Sequence, residues 1–165
     1  MKRNLQDYLQ KCLAMCDECG IPYGKIDSIV EDKAEKRWGQ CRHRNGKTII
    51  GISYKLIDTT YSETDTGLIN TIIHEILHTY PRCGNHGSVW KSYASKIYNR
   101  FGYNIKRTSS CEEKGAKENE DKYKYIIKCK DCGCEWKYMR FTKAVQFPEK
   151  FSHTKCGKYN IIRVV

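Results

Sequence analysis

The stretch T-G-L-I-N-T-I-I-H-E-I-L-H, Thr66 to His78, decides the fold. Leu68, Ile69, Ile72, Ile73, Ile76, Leu77 and then Tyr80 recur at the spacing of one broad helical face. Asp65 or Thr66 can cap its start. Pro81 ends it, because the residue before a proline avoids the α region. A helix this apolar belongs in an interior. His74 and His78 stand four residues apart within it, about one turn, so both imidazoles leave the same face with Glu75 beside them. Imidazoles among apolar neighbours need partners. His-Glu-x-x-His on a helix is the pattern in which two histidines hold zinc and the glutamate acts as general base.

Downstream comes N-H-G-S-V-W-K, Asn85 to Lys91, which sets His86 just ahead of the next helix as a third ligand. Three protein ligands leave zinc a fourth position for water, as in a catalytic site. Ser88 is expected to cap that helix, with Val89, Trp90, Tyr93, Ala94, Ile97, Tyr98 and Phe101 inward and Gly102 as its stop. Upstream, Leu5, Tyr8, Leu9, Cys12, Leu13 and Cys16 predict an amphipathic helix ending near Gly20-Ile21-Pro22. A short strand is expected over Ile26 to Val30. Arg37–Arg42 and Thr48–Ser53 flank Asn45-Gly46, a strong hairpin signal, with a loop of two residues or longer. Helix, small sheet, then two helices make an α+β domain over residues 1–103.

The chain has 165 residues, 39% hydrophobic and 30% charged, enough for one domain with a small satellite. Its net charge of +11 points to a polyanionic partner. No stretch approaches ~20 apolar residues, and no apolar run follows the basic start, so neither a membrane partner nor export is expected. The expected location is the cytoplasm. In that reducing setting, clusters among the ten cysteines are expected to bind metal rather than pair with each other. Residues 104–121 show no apolar periodicity after Ile105 and are expected to form a solvated linker. Residues 122–165 carry 11 Lys and Arg against 3 Asp and Glu, most of the excess charge.

R-W-G-Q-C (Arg37–Cys41), T-I-I-G-I-S-Y-K-L (Thr48–Leu56), H-E-I-L-H (His74–His78) and N-H-G-S-V-W-K (Asn85–Lys91) occur in the order seen in SprT-like metallopeptidases. The chain resembles that family, which includes bacterial SprT-like proteins and the Spartan protease of DNA–protein crosslinks, from about Leu5 to Val165. The resemblance implies a minimal zincin-type domain, His74, His78 and His86 on a catalytic zinc, Glu75 as general base, and a protein substrate. Tyr80, Tyr93 and Tyr98 are candidates for stabilising the oxyanion, weighed against packing between helices.

The basic tail holds C-K-D-C (Cys129, Cys132) and H-T-K-C (His153, Cys156), two ligand pairs of the kind a tetrahedral structural zinc takes. Strands expected at Lys122–Lys128 and Glu135–Phe141 suit a small C-terminal zinc ribbon. In the family the second pair is usually two cysteines, so His153 or Cys134 is the fourth ligand. Lys128, Lys130, Lys137 and Arg140, interleaved with Trp136 and Tyr138, are candidates for binding nucleic acid, with unpaired bases of single-stranded or junction-containing DNA stacking on the rings. The competing reading is a non-enzymatic nucleic-acid-binding protein with two structural zincs. Cys12, Cys16 and Cys19 have an iron–sulfur spacing but fall partly on an apolar helix face, which favours core cysteines. Cys83 is a candidate thiolate for the catalytic metal, weighed against a loop cysteine. Lys33, Lys36, Arg37, Arg42 and Arg44 form a second basic set.

Overall fold

The computed structural model describes residues 1–34, 36–117, 123–157 and 160–164. It mixes helix and strand in two compact units, Met1–Lys117 and Glu118–Val165. No helix among the described residues is long and apolar enough to cross a membrane.

In the first unit, helix α1 (Leu5–Glu18) starts at Asn4, whose side chain accepts the Gln6 N–H, and buries Leu9, Cys12, Met15 and Cys16. Strands β1 (Ser28–Asp32), β2 (Gly39–Arg44) and β3 (Lys47–Ser53) form one sheet in the order β1-β3-β2, with β1 parallel and β2 antiparallel to β3. The β2–β3 connection is the tight one: Arg44 pairs with Lys47, leaving only Asn45 and Gly46 in the loop. Both have positive φ, 51° and 71°, as a type I′ turn requires. Central β3 buries Ile50 and Ile52 completely. A one-turn helix α2 (Tyr54–Ile57) leads on to α3 (Thr66–His78). Helix α3 lies under the sheet with Leu68, Ile69, Ile72, Ile73, Ile76 and Leu77 at most 1% exposed. After a 3-10 turn at Pro81–Cys83, α4 (Ser88–Phe101) buries Trp90, Ala94 and Ile97 and stops at Gly102, φ 77°.

Several sequence expectations need correction. The α3 N-cap, Asp65, makes no capping bond, because its carboxylate is engaged by Arg3 Nε at 2.7 Å and Tyr8 OH at 2.6 Å. Gly87, not Ser88, occupies the N-cap of α4. Tyr98 is 55% exposed rather than inward. The expected linker also begins too early. Residues 104–117 belong to the first unit: Ile105, Lys114 and Ala116 are buried, Ala116 bridges Ser62, and Lys117 N–H donates to Tyr61 O at 2.7 Å. A polar composition concealed three inward side chains. Residues 118–121 lie outside the described residues.

In the second unit, β4 (Tyr125–Cys129) runs between β5 (Glu135–Tyr138) and β6 (Ile161–Arg163), antiparallel to both. A one-turn helix α5 (Lys143–Gln146) and a 3-10 turn (Pro148–Lys150) complete it. The core is small: Ile127, Val145 and Ile161 are buried, with Tyr125, Trp136, Tyr138 and Ala144 around them.

Candidate metal centres and the cleft beside Glu75

Helix α3 delivers His74 and His78 on one face, and the turn after Pro81 folds His86 back onto them. The three Nε2 atoms form a triangle with sides of 3.0, 3.1 and 3.2 Å. His78 Nδ1 lies 2.7 Å from Cys83 O, and His74 Nδ1 lies 3.0 Å from Lys106 O. A carbonyl only accepts, so each Nδ1 carries the proton and each Nε2 presents a lone pair. Lone pairs facing each other at 3.1 Å repel unless a cation lies between them. Nitrogens bound tetrahedrally at ~2.0–2.1 Å would sit about 3.3 Å apart, close to the observed triangle. The donor set therefore fits zinc. Burial and the neighbouring imidazoles hold His74 down to about 3, which keeps it neutral as a ligand must be. Trp90 backs all three rings, with centroids 4.8, 5.0 and 6.3 Å from His86, His74 and His78.

Glu75 is buried beside this triangle and accepts the Cys41 backbone N–H from β2. Burial pushes its carboxyl up to about 7, opposed by that N–H and by the charge of Lys114. Gly39 makes this closeness possible: a Cβ there would lie 2.6 Å from Thr71 Cγ2 and 2.7 Å from Glu75 Oε1. A cleft of about 290 Å³ opens over His74 and Glu75, walled by Trp38 and Gly39 on one side and by residues 106–109 and Lys114 on another. A second opening reaches His78 and His86 past Gln40, Cys41 and Gly84.

Sequence reasoning missed Lys114, whose Nζ donates to Thr71 Oγ1 at 2.8 Å. Nothing in a run of Glu, Lys and Gly signals burial. Tyr80 and Tyr93 pack edge to face at 6.2 Å on the core, and no tyrosine among the described residues lines either opening. Cys83 gives its carbonyl to His78, and its thiol is not among the converging ligands. Cys12 and Cys16 are core residues whose thiols burial pushes up to about 12.

The second unit brings Cys129, Cys132, His153 and Cys156 together, with all four ligand atoms within 4.8 Å of one another. His153 Nδ1 is 3.2 Å from both Cys132 Sγ and Cys156 Sγ, and Cys129 Sγ is 3.6 Å from Cys156 Sγ. Such spacings suit a tetrahedral ion with sulfur at ~2.3 Å. The fourth member is His153; Cys134 stays outside and supplies a carbonyl to Cys129 N–H. Its own backbone N–H pulls the Cys132 thiol down to about 6, toward the thiolate that a metal binds.

The six residues expected to face nucleic acid divide. Lys130, Lys137 and Arg140 are exposed, whereas Lys128 pairs with Glu135 at 3.2 Å. Trp136 and Tyr138 belong to the small core, Trp136 lying edge-on to His153 at 4.9 Å. The exposed rings are others, among them Phe141 at 52% and Phe147 at 39%, each with a cation over it, Arg163 and Lys150.

The sequence profile of the SprT-like family matches residues 5–109, well over half of the chain. No curated protein matches the chain.

Proposed function

The chain belongs to the SprT-like family of metallopeptidase-like proteins, and on that premise we propose that it is a zinc-dependent endopeptidase acting on nucleic-acid-associated proteins. The observation that carries the reading is the convergence of three Nε2 atoms beside a buried carboxylate at the floor of an open cleft. Holding an ion needs only the histidines. The glutamate beside them serves proton transfer.

In this reading His74, His78 and His86 hold a catalytic zinc within a zincin-type domain. When bound, the ion supplies Lewis acidity toward water and toward the scissile carbonyl. Glu75 accepts the proton of the attacking water and returns it to the departing amine. The Cys41 N–H keeps the carboxylate turned toward the cleft. Strand β2 is an edge strand among the described residues, and Gly39, Gln40 and Cys41 border the second opening, so an extended substrate can lie along it. Cys129, Cys132, His153 and Cys156 hold a structural zinc that orders the basic second unit. That unit tethers the enzyme to DNA through phosphate contacts from Lys130, Lys137 and Arg140 and through the exposed rings of Phe141 and Phe147.

Glu75→Gln tests the chemistry apart from the binding. Size and all three histidines are kept, so zinc content should stay at its original value. Hydrolysis of a protein substrate should fall by about 10²–10⁴. Wild-type turnover in the variant would remove Glu75 from the mechanism.

A further inference from the structure

The cleft over His74 and Glu75 carries far more positive charge than the chemistry at Glu75 requires. Lys36, Arg37, Lys106, Arg107 and Lys114 all line it, with Glu75 as the one acidic side chain among the described residues of the wall. Arg37 is neutralised by Asp32 at 2.8 Å and Lys106 by Glu113 at 2.5 Å. Lys36, Arg107 and Lys114 have no ion pair within 4 Å among the described residues.

Lys114 is the unusual member. It is only 6% exposed, yet it lines the open cleft, with its Nζ held by Thr71, another residue of the wall. One of its three donors goes to Thr71 Oγ1, and that hydroxyl donates in turn to Gly67 O at 2.8 Å, which fixes the direction of the pair. The other two donors have no protein acceptor among the described residues. Buried donors of a charged group left without acceptors are costly. The backbone of Lys114 also lies against Gly67, where a Cβ would strike the Lys114 carbonyl, so the segment is held closely to α3. A buried cation in the wall of a cleft, with donors to spare, suits an anion that arrives with the substrate.

We propose that Lys114, with Lys36 and Arg107 at the mouth, forms a subsite that binds an Asp or Glu side chain of the protein substrate next to the bond hydrolysed at Glu75. The proposal rests on the peptidase reading and adds the substrate class to it. The occupant is a polypeptide rather than a nucleic-acid backbone because the space is about 290 Å³, room for a few side chains, and adjoins Glu75, where the substrate chain itself must pass. A charge-assisted contact to a buried ammonium discriminates strongly against the uncharged amide of the same shape.

The test uses the full chain loaded with zinc and a set of peptides blocked at both ends. They differ at one position beside the cleaved bond, carrying Glu, Gln or Lys; a fourth carries Gln there and a free carboxyl-terminus. The Glu peptide should exceed the Gln peptide in kcat/KM by about tenfold or more, with the Lys peptide poorest. Lys114→Met should collapse the Glu-to-Gln ratio toward one, and Lys114→Arg should keep most of it. If Lys114→Met does not fold, the exposed double change Lys36→Ser with Arg107→Ser carries the test and should lower the same ratio. Equal rates for Glu and Gln peptides would overturn the subsite, and so would a preference confined to the free carboxyl-terminus. Binding of the same peptides to Glu75→Gln, read by fluorescence anisotropy, separates the two readings. If no peptide is cleaved but the Glu peptide still binds best through Lys114, the peptidase reading fails and the subsite stands. Displacement of the peptide by a short oligonucleotide only when Lys114 is present would overturn it in favour of nucleic acid.

Discussion

Gly39 shows how one missing side chain places a catalytic group. Strand β2 approaches α3 so closely that a methyl at position 39 would meet Thr71 Cγ2, Glu75 Oε1 and Glu75 Cγ, all within 2.9 Å. The strand can then bring the Cys41 N–H to the Glu75 carboxylate. Gly39→Ala should therefore push Glu75 off its position while leaving the three histidines intact. We expect kcat/KM to fall about tenfold or more, since small misplacements of a reacting group are expensive, and stability to drop by about 1–3 kcal/mol from overpacking. Elemental analysis should find the zinc content unchanged, and loss of zinc in parallel with activity would sink the argument. Lys114 adds a pH signature at the same scale. Burial lowers it from the ordinary 10.5 to about 8, opposed by Glu75 and Glu113. Its folded value lies below its unfolded one. Between about 8 and 10.5 the unfolded chain holds a proton that the folded chain has shed, so stability contributed by this group rises with pH across that window. Urea denaturation at several pH values there should show the rise in the wild type relative to Lys114→Met. Parallel curves would mean that the ammonium is not desolvated.

Helix α3 is the element on which the first unit depends, and it was legible because every physical cue agreed. Its apolar residues repeat at helical spacing, Pro81 stops it, and the two histidines fall on one turn. Ile76 is completely buried in its middle, so Ile76→Ala should cost about 2–5 kcal/mol in denaturant unfolding, the price of lost burial plus a cavity. A cost under about 1 kcal/mol would mean that the core closes around the gap. The hairpin was equally plain, since Asn45 and Gly46 both adopt the positive φ that a two-residue loop demands. Other features followed from tertiary context that no local pattern carries. Asp65 has the right residue type for a cap but is claimed by Arg3 and Tyr8 from the far end of the unit. Trp136 has the right type to stack on a base but is needed by a core of three buried aliphatics. Residues 104–117 read as solvent-facing because four lysines and arginines conceal Ile105 and Ala116, and because the burial of Lys114 depends on Thr71, forty-three residues away. The histidine triangle could be read because two ligands share one helix and the third follows within eight residues. The wall of its cleft could not, since it is assembled from distant segments.

At the scale of the molecule the two units differ in what holds them together. The first has a core drawn from α1, β3, α3 and α4 and needs no ion to bury it. The second has a small apolar core around Ile127, Val145 and Ile161, with its four-ligand cluster beside it. A core that small is stabilised chiefly by metal binding, whose free energy becomes folding free energy. The intact chain should then carry about two zinc ions. Chelation should melt the second unit at a lower chelator concentration than is needed to unfold the first, seen by tryptophan fluorescence because Trp136 lies on His153. Cys132→Ser should abolish that early step and one zinc, while His74→Ala removes the other zinc and leaves most of the fold. A chain ending at Lys117 keeps all three histidines, Glu75 and Lys114 but loses the strongly basic stretch 122–165, with its 11 Lys and Arg against 3 Asp and Glu. It should retain one zinc and the hydrolysis of a free unstructured protein, and lose most of its affinity for single-stranded DNA. For the intact chain, binding should weaken with salt at a log–log slope of about −0.7 per phosphate contacted. Phe141→Ala should weaken it further without unfolding, because that ring is exposed beside Arg163, whereas Trp136→Ala should lose binding and structure together. Undiminished DNA affinity in the chain ending at Lys117 would move the nucleic-acid surface to the first unit, where Lys33, Arg42 and Arg44 are the exposed cations to replace next.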